Sequence, residues 1–256
     1  MRQVHSPRWL AWGMHEVPDA ADWLSPTESA RLAGLRFTKR HGEVRLARWT
    51  AKQAIASALG LEDDAAGLAR IEIRAASTGA PTVFLGDERA PVVVSMTDRA
   101  DWAVCVVGPL GRAVGCDLEL VEARTDAFVR DWFTLGERDL VGGAAPGDER
   151  QLVANLVWSA KESALKVLET GLRRDTRSVE VDLVEDVGDQ RWARFVVRAE
   201  EGRAFAGWWR RYGAFVLTFA ADADCDPPVS IEEPPGLADA TPSHSWLAEV
   251  RRPDLG

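Results

Sequence analysis

Hydrophobic and polar residues alternate with a period of two along Val114-Gly115-Cys116-Asp117-Leu118-Glu119-Leu120. An extended chain therefore sends Val114, Cys116, Leu118 and Leu120 to one face and Asp117 and Glu119 to the other. A different rhythm governs residues 152–168, where good helix formers set Trp158, Glu162, Leu165 and Lys166 along neighbouring turns. Upstream, Leu24-Ser25-Pro26-Thr27-Glu28 carries an N-cap serine, a proline at the first helical position and a glutamate that closes a capping box, predicting a helix to about Leu35. Residues 48–59, ending at Gly60, predict a second helix. Two runs rich in β-branched residues, 71–85 and 92–107, are broken by Thr78-Gly79-Ala80-Pro81 and by Thr97-Asp98-Arg99, and predict antiparallel sheet.

The same order recurs after Arg112. Phe133-Thr134 leads into a capping box with Glu137, and Trp158-Ser159-Ala160-Lys161-Glu162 echoes Trp49-Thr50-Ala51-Lys52-Gln53. Trp49 stands 53 positions before Trp102, which opens a strand, and Trp158 stands 54 before Tyr212. Agreement in element order and spacing favours duplication over a chance match of two helices. The expected fold class is α+β, with two pseudo-twofold-related halves, each a small antiparallel sheet packed on a long helix. Their boundary is expected near residues 108–112, giving an N-terminal half at 1–110 and a C-terminal half at 111–225 that carries the candidate site, with a cleft between them as the natural ligand site. Residues 226–256, rich in Pro, Glu, Ser and Ala, are expected to form a mobile tail in which Trp246 and Leu247 can dock locally.

Composition narrows the function classes. A formal charge of -9 argues against general nucleic-acid binding, which needs a basic surface. The start of the chain lacks the apolar core of a secretory signal and no run is long enough to span a membrane, so a soluble, cytoplasmic protein is expected. Cys105, Cys116 and Cys225 are odd in number and lack CxxC spacing, which points to buried thiols rather than disulfides or structural zinc. Against the acidic background, Arg31, Arg36, Lys39, Arg40, Arg45, Arg48 and Lys52 form a basic cluster holding one acid, Glu43. That cluster is either a solvated helix face or a site for a phosphate or an acidic partner.

The side-by-side carboxylates of Asp117 and Glu119 are either a solvated strand face or ligands for a hard cation such as Mg²⁺. Glu162 and Lys166, four residues apart on one helix, read alone as a surface ion pair, though their neighbours are unusually apolar.

Taken together, Val-Gly-Cys-Asp-Leu-Glu at 114–119 and Trp158-Ser-Ala-Lys161-Glu162-Ser-Ala-Leu-Lys166 resemble the paired signatures of the 4'-phosphopantetheinyl transferase superfamily. The likeness extends to Leu-Ser-Pro-Thr-Glu at 24–28, Arg36-Phe37, Gly79-Ala80-Pro81, Ser95, and Phe133-Thr134 with Glu137. It is closest to the long, pseudodimeric type that activates surfactin-like synthetases, and implies that fold and Mg²⁺-dependent transfer of phosphopantetheine from coenzyme A to an acyl or peptidyl carrier protein.

By the resemblance, Asp117, Glu119 and Glu162 hold Mg²⁺ against the coenzyme A diphosphate, Glu162 accepts the carrier serine proton, and Lys166 stabilises the departing 3',5'-ADP. Arg45, Arg48, Ser95 and Lys161 join Lys166 in binding coenzyme A, although Lys161 can equally snorkel from the helix. Arg173, Arg174 and Arg177 either steer an acidic carrier or belong to an ordinary charged loop. A duplicated chain is expected to work as a monomer. Met96 stands where the family usually has histidine, Ala80 where it has a basic residue, and Thr170 where glycine is common. Those departures predict a weaker grip on coenzyme A with the chemistry intact, and leave as the alternative a non-catalytic homologue that binds coenzyme A or a carrier protein.

Overall fold

The computed structural model describes residues 2–184 and 191–242. The chain runs β1 (Arg8–Gly13), α1 (Pro26–Ala33), α2 (Thr38–Leu59), α3 (Ala65–Ala69), β2 (Ile71–Ala75), β3 (Pro81–Leu85), β4 (Glu88–Arg89), β5 (Val92–Arg99) and β6 (Trp102–Pro109). It continues through β7 (Val114–Leu120), α4 (Asp126–Trp132), α5 (Leu135–Gly143), α6 (Asp148–Val167), β8 (Val179–Leu183), β9 (Ala193–Ala199), β10 (Ala204–Tyr212), β11 (Phe215–Ala221) and β12 (Val229–Ser230). The class is α+β.

Two sheets form the centre, one ordered β12-β1-β6-β5 and the other β7-β11-β10-β9-β8, with β2-β3-β4 as a small third. Every pairing is antiparallel except β1 with β12. Because side chains alternate across a strand, each central sheet has two apolar faces to cover. Helix α2 covers one through Ala51, Ile55 and Leu59 against Leu10, Cys105 and Val107. Helix α6 covers another through Val157, Ala164 and Leu165 against Phe195, Val197 and Ala220. The remaining faces meet each other, with Trp9, Ala11 and Val104 of the first sheet packed on Cys116, Leu118 and Leu217 of the second. That contact sets the acidic strand β7 beside β5.

Both capping boxes form: Ser25 Oγ accepts from the Glu28 amide and Thr134 Oγ1 from the Glu137 amide, while each glutamate accepts from its cap residue's amide. Helix α2 begins at Thr38, ten residues before the predicted start, and ends as expected at Gly60 in the left-handed region. The expected break at Thr97-Asp98-Arg99 is corrected. Those residues stay in the β5 ladder opposite Val104, Ala103 and Trp102, and the chain reverses at Ala100 and Asp101, whose φ values of 47° and 65° supply the tight hairpin.

The mobile tail expected from residue 226 is also corrected for residues 226–242. Val229 and Ser230 pair with Arg8 and Trp9, Ile231 packs against the first core, and Leu237 is wholly buried. The outer edge of β1 gives this segment backbone partners, and the apolar cluster around Trp9 gives Leu237 its seat. Trp246 and Leu247 lie outside the described residues. Among the described residues, no helix is long and apolar enough to cross a membrane.

Candidate active site

Strand β7 turns Gly115, Asp117 and Glu119 toward α6, and Gly115 sets the spacing. A Cβ at that position would fall 2.0 Å from the Ser163 main-chain oxygen, so only glycine lets the helix lie this close. Trp158, Glu162 and Lys166, one turn apart, then meet the acidic face of the strand.

Lys166 Nζ donates to the Cys116 carbonyl at 2.8 Å and to Asp117 Oδ1 at 2.9 Å, and Thr97 Oγ1 donates to the same carboxylate oxygen at 3.0 Å. Glu119 Oε1 accepts from Trp158 Nε1 at 3.1 Å. Its Oε2 faces two guanidinium groups, Arg124 Nη2 at 3.1 Å and Arg99 Nε at 3.3 Å. Arg99 also pairs with Glu122, and Arg124 is braced by Asn155 Oδ1 at 2.6 Å. Asp117, Glu119 and Glu162 all line one cavity of about 650 Å³, together with Thr97, Asp98, Arg99 and residues of the α2 start such as Lys39, Arg40 and Glu43.

Lys166 lines a different cavity, of about 680 Å³, bounded by Ser95, Met96, Val114, the β2–β3 turn at 78–80, Arg112 and the loop after α6. Consecutive residues of β5 pass from one cavity to the other, Ser95 and Met96 to Thr97 and Asp98. The Lys166–Asp117 ion pair therefore stands between two spaces, each large enough for a substantial ligand.

Electrostatics single out the same cluster. Burial, and then the charge of Asp117, pushes Glu162 up to about 8, against the pull of Lys166. Burial and Asp117 push Glu119 up to about 7, although Arg124 and Arg99 oppose them. For Lys166, burial works against the charged form, yet Asp117 and Glu162 outweigh it and hold the ammonium above the usual lysine range. Asp98 is raised by burial and by Glu43. Perturbed groups converging on a cavity mark a candidate catalytic centre.

Among the described residues, no three His, Cys, Asp or Glu side chains form a ready-made metal cage. The donor set nonetheless suits a hard divalent cation. Asp117 Oδ2 is buried without a hydrogen-bond partner, and burial together with the charge of Asp117 holds the two neighbouring carboxyls above their ordinary range, an excess of gathered acid that a bound cation would offset.

Other sequence candidates are placed differently. Lys161 is corrected: it is fully buried, pairs with Glu137 Oε2 at 2.7 Å and donates to the carbonyls of Thr176 and Val179, so it has no reach into either cavity. Ser95 lines the 680 Å³ cavity, but its Oγ accepts from the Cys116 amide and ties β5 to β7. Arg45 and Arg48 line a third pocket, of about 260 Å³, and not the two cavities at Lys166. Arg45 Nη2 donates to the carbonyls of Pro18 and Asp19, while Arg48 lies 3.5 Å from Glu28 Oε1 and 3.8 Å from Met96 Sδ. Sequence reasoning missed Thr97, Arg99 and Arg124. A polar residue alternating into β5, and an arginine five positions after Glu119, were the available signals.

Residues 113–220, which hold β7, α6 and every residue of the acidic cluster except those from β5, match the model of the 4'-phosphopantetheinyl transferase superfamily. No curated protein matches the chain. Among solved structures, the chain is similar to holo-[acyl-carrier-protein] synthase of Thermotoga maritima, at 17% identity over 52% of this chain and 76% of that one, with a TM-score of 0.33. So loose an overlap carries no weight for fold or activity.

Proposed function

We propose that the protein transfers 4'-phosphopantetheine from coenzyme A to a serine of an acyl or peptidyl carrier protein, releasing 3',5'-ADP. The observation that carries this reading is the Lys166–Asp117 pair between two large cavities, with Glu119 and Glu162 facing the second. The superfamily match over residues 113–220 supports the same chemistry.

In this reading Asp117, Glu119 and Glu162 would hold Mg²⁺, which when bound neutralises the diphosphate and eases departure of the leaving group. Glu162, which lines the same cavity and would be kept ionised by the bound cation, accepts the serine proton, directly or through water. Lys166 keeps a permanent positive charge at the boundary of the cavities, where charge develops on the leaving phosphate. Trp158, Arg99 and Arg124 orient Glu119, and Thr97 orients Asp117.

The two halves are proposed to be pseudo-twofold copies that make one site, which suits a monomer of the surfactin-synthetase-activating type working in the cytoplasm on secondary metabolism. A repeated set of contacts supports this. Lys52 is buried against Glu28 at 2.6 Å as Lys161 is against Glu137, and each lysine donates to two carbonyls. Each glutamate also accepts from a strand amide, Ile73 or Val181. Trp49 and Trp158 precede those lysines by three residues; the second donates to Glu119, whereas the first lies 5.9 Å from the Trp12 ring. The acidic site would thus belong to the second copy alone.

The test is incubation with Mg²⁺, coenzyme A and a panel of apo carrier proteins, followed by mass spectrometry of the carriers. A phosphopantetheine mass gain that vanishes with Glu162→Gln is the expected result. Coenzyme A binding with no gain on any carrier would instead favour a non-catalytic homologue.

A further inference from the structure

The 680 Å³ cavity is lined by the β2–β3 turn and by the loop that follows α6, and the side chains of Glu169 and Arg173 both join the two. Arg173, in the loop that follows α6, sends Nη2 to the main-chain oxygen of Thr78 in the β2–β3 turn at 2.5 Å and to that of Glu169 at 3.0 Å. Nη1 lies against the turn, 3.6 Å from where a Cβ on Gly79 would stand. The turn is itself fixed, with Ala76 and Ala80 hydrogen-bonded across it and Gly79 at φ +87°. The guanidinium is thus oriented by two carbonyls through one nitrogen. Among the described residues, Nε and Nη1 have no hydrogen-bond partner and the group has no ion pair.

The neighbouring arginines make the contrast. Arg174 is paired with Glu201, and Arg177 with Asp175. Even Glu169, whose carbonyl receives Arg173, turns its carboxylate to Thr78 Oγ1. Of three arginines in five residues, the one lining the cavity is the one whose charge is not spent on an acid. Lys166, Arg89 and Arg112 line the same cavity against two acids, Glu169 and Asp222, in a chain whose net charge is -9. A planar guanidinium held at one nitrogen, with its other N–H groups available, is a preformed receptor for a phosphate.

We propose that Arg173 is a donor-binding residue that takes a phosphate of coenzyme A through the N–H groups not engaged by Thr78 and Glu169. The inference rests on the phosphopantetheinyl-transfer reading and adds a contact across the cleft to it. Because an ionic hydrogen bond contributes about 1.5–3 kcal/mol, its removal weakens binding about ten- to a hundredfold.

Calorimetric titration of coenzyme A into wild type, Arg173→Gln, Arg173→Lys and Arg177→Gln tests it. Expected are a dissociation constant raised about ten- to a hundredfold by Arg173→Gln, a smaller rise for Arg173→Lys, and none for Arg177→Gln, with unchanged thermal midpoints since all these side chains are exposed. The salt dependence of binding should become shallower in Arg173→Gln alone, a change that a purely structural clasp would not produce. Titration of 3'-dephospho-coenzyme A separates the two phosphate groups. If the Arg173→Gln penalty disappears, the contact is to the 3'-phosphate; if it persists, to the diphosphate. Wild-type affinity in Arg173→Gln, or an equal loss in Arg177→Gln, overturns the proposal. Failure of the wild type to bind coenzyme A would overturn the transfer reading itself.

Discussion

Lys161 Nζ lies 2.7 Å from Glu137 Oε2, and Lys52 Nζ lies 2.6 Å from Glu28 Oε2, with both lysines sealed from solvent. Burial alone pulls each lysine down and pushes Glu137 up, so the charged state persists because every polar atom is answered. The capping glutamate thereby joins a helix start, a strand amide and the long helix in one knot.

Removing one partner of such a pair strands the other. Lys161→Met should lower unfolding free energy by about 3–5 kcal/mol, since Glu137 would be left buried and uncompensated. Combining Lys161→Met with Glu137→Gln should recover part of that loss. Urea denaturation of the single and double variants measures the coupling. Coenzyme A affinity of the folded fraction should stay at the wild-type value, because Lys161 faces neither cavity.

The acidic cluster predicts an opposite pH trend to that of ordinary salt-bridged carboxylates. Glu162 and Glu119 have folded values raised to about 8 and about 7 from 4.5, so their contribution is complete below about pH 4.5 and is lost as pH rises through 7 and 8. Without divalent metal, thermal stability attributable to these groups should fall between pH 5 and 9, by about 7 kcal/mol at most. Glu162→Gln should flatten the slope, and Mg²⁺ should restore stability at high pH. A slope unchanged by both would contradict the cluster's electrostatics. Scanning calorimetry in chelator and in excess Mg²⁺ provides the comparison.

Asp117 receives Lys166 and Thr97 on one oxygen and leaves the other buried and unanswered. Asp117→Asn should therefore cut transfer by about 10²–10³, comparable with loss of a preorganised electrostatic group. The folded protein should persist, because an amide oxygen can still accept from Lys166. Binding of Mn²⁺, followed by electron paramagnetic resonance, should weaken in the same variant, which separates loss of the metal site from loss of the fold.

Much of this arrangement was legible in the sequence. The period of two around Asp117 fixed which residues share its face, and spacing on α6 aligned Trp158, Glu162 and Lys166. Both capping boxes were readable because N-cap chemistry is local. What the capping glutamates do next was not readable, since the lysine that each one meets comes 24 positions later and is brought there by tertiary packing. Lys161, beside Glu162 in the motif that carries the family resemblance, reads equally as a phosphate ligand and as a side chain snorkelling from the helix. One residue on a helix is a rotation of about 100°, enough to turn it away from the acids and toward Glu137. The hairpin between β5 and β6 was misplaced because three polar residues imitate a turn, whereas the real reversal uses Ala100 and Asp101, which carry no glycine signal. Thr97 and Arg99 were lost with it.

The approach of α6 to β7 gives the sharpest contrast between two similar substitutions. At Gly115 a Cβ would meet main-chain oxygen of Ser163 at 2.0 Å, and backbone cannot swing aside as a flexible side chain can. Gly115→Ala must push the helix off the strand, at a cost of about 1–3 kcal/mol or more by the usual scale of overpacking. The displacement also carries Trp158 and Lys166 away from Glu119 and Asp117, so transfer should fall further than stability does. At Gly142, inside α5, no atom lies within 4 Å of the added carbon, and alanine should be neutral or stabilising by up to about 1 kcal/mol through helix propensity. Thermal midpoints and turnover measured for both variants decide the matter. Gly115→Ala with wild-type activity would mean that the catalytic side chains do not depend on this close contact.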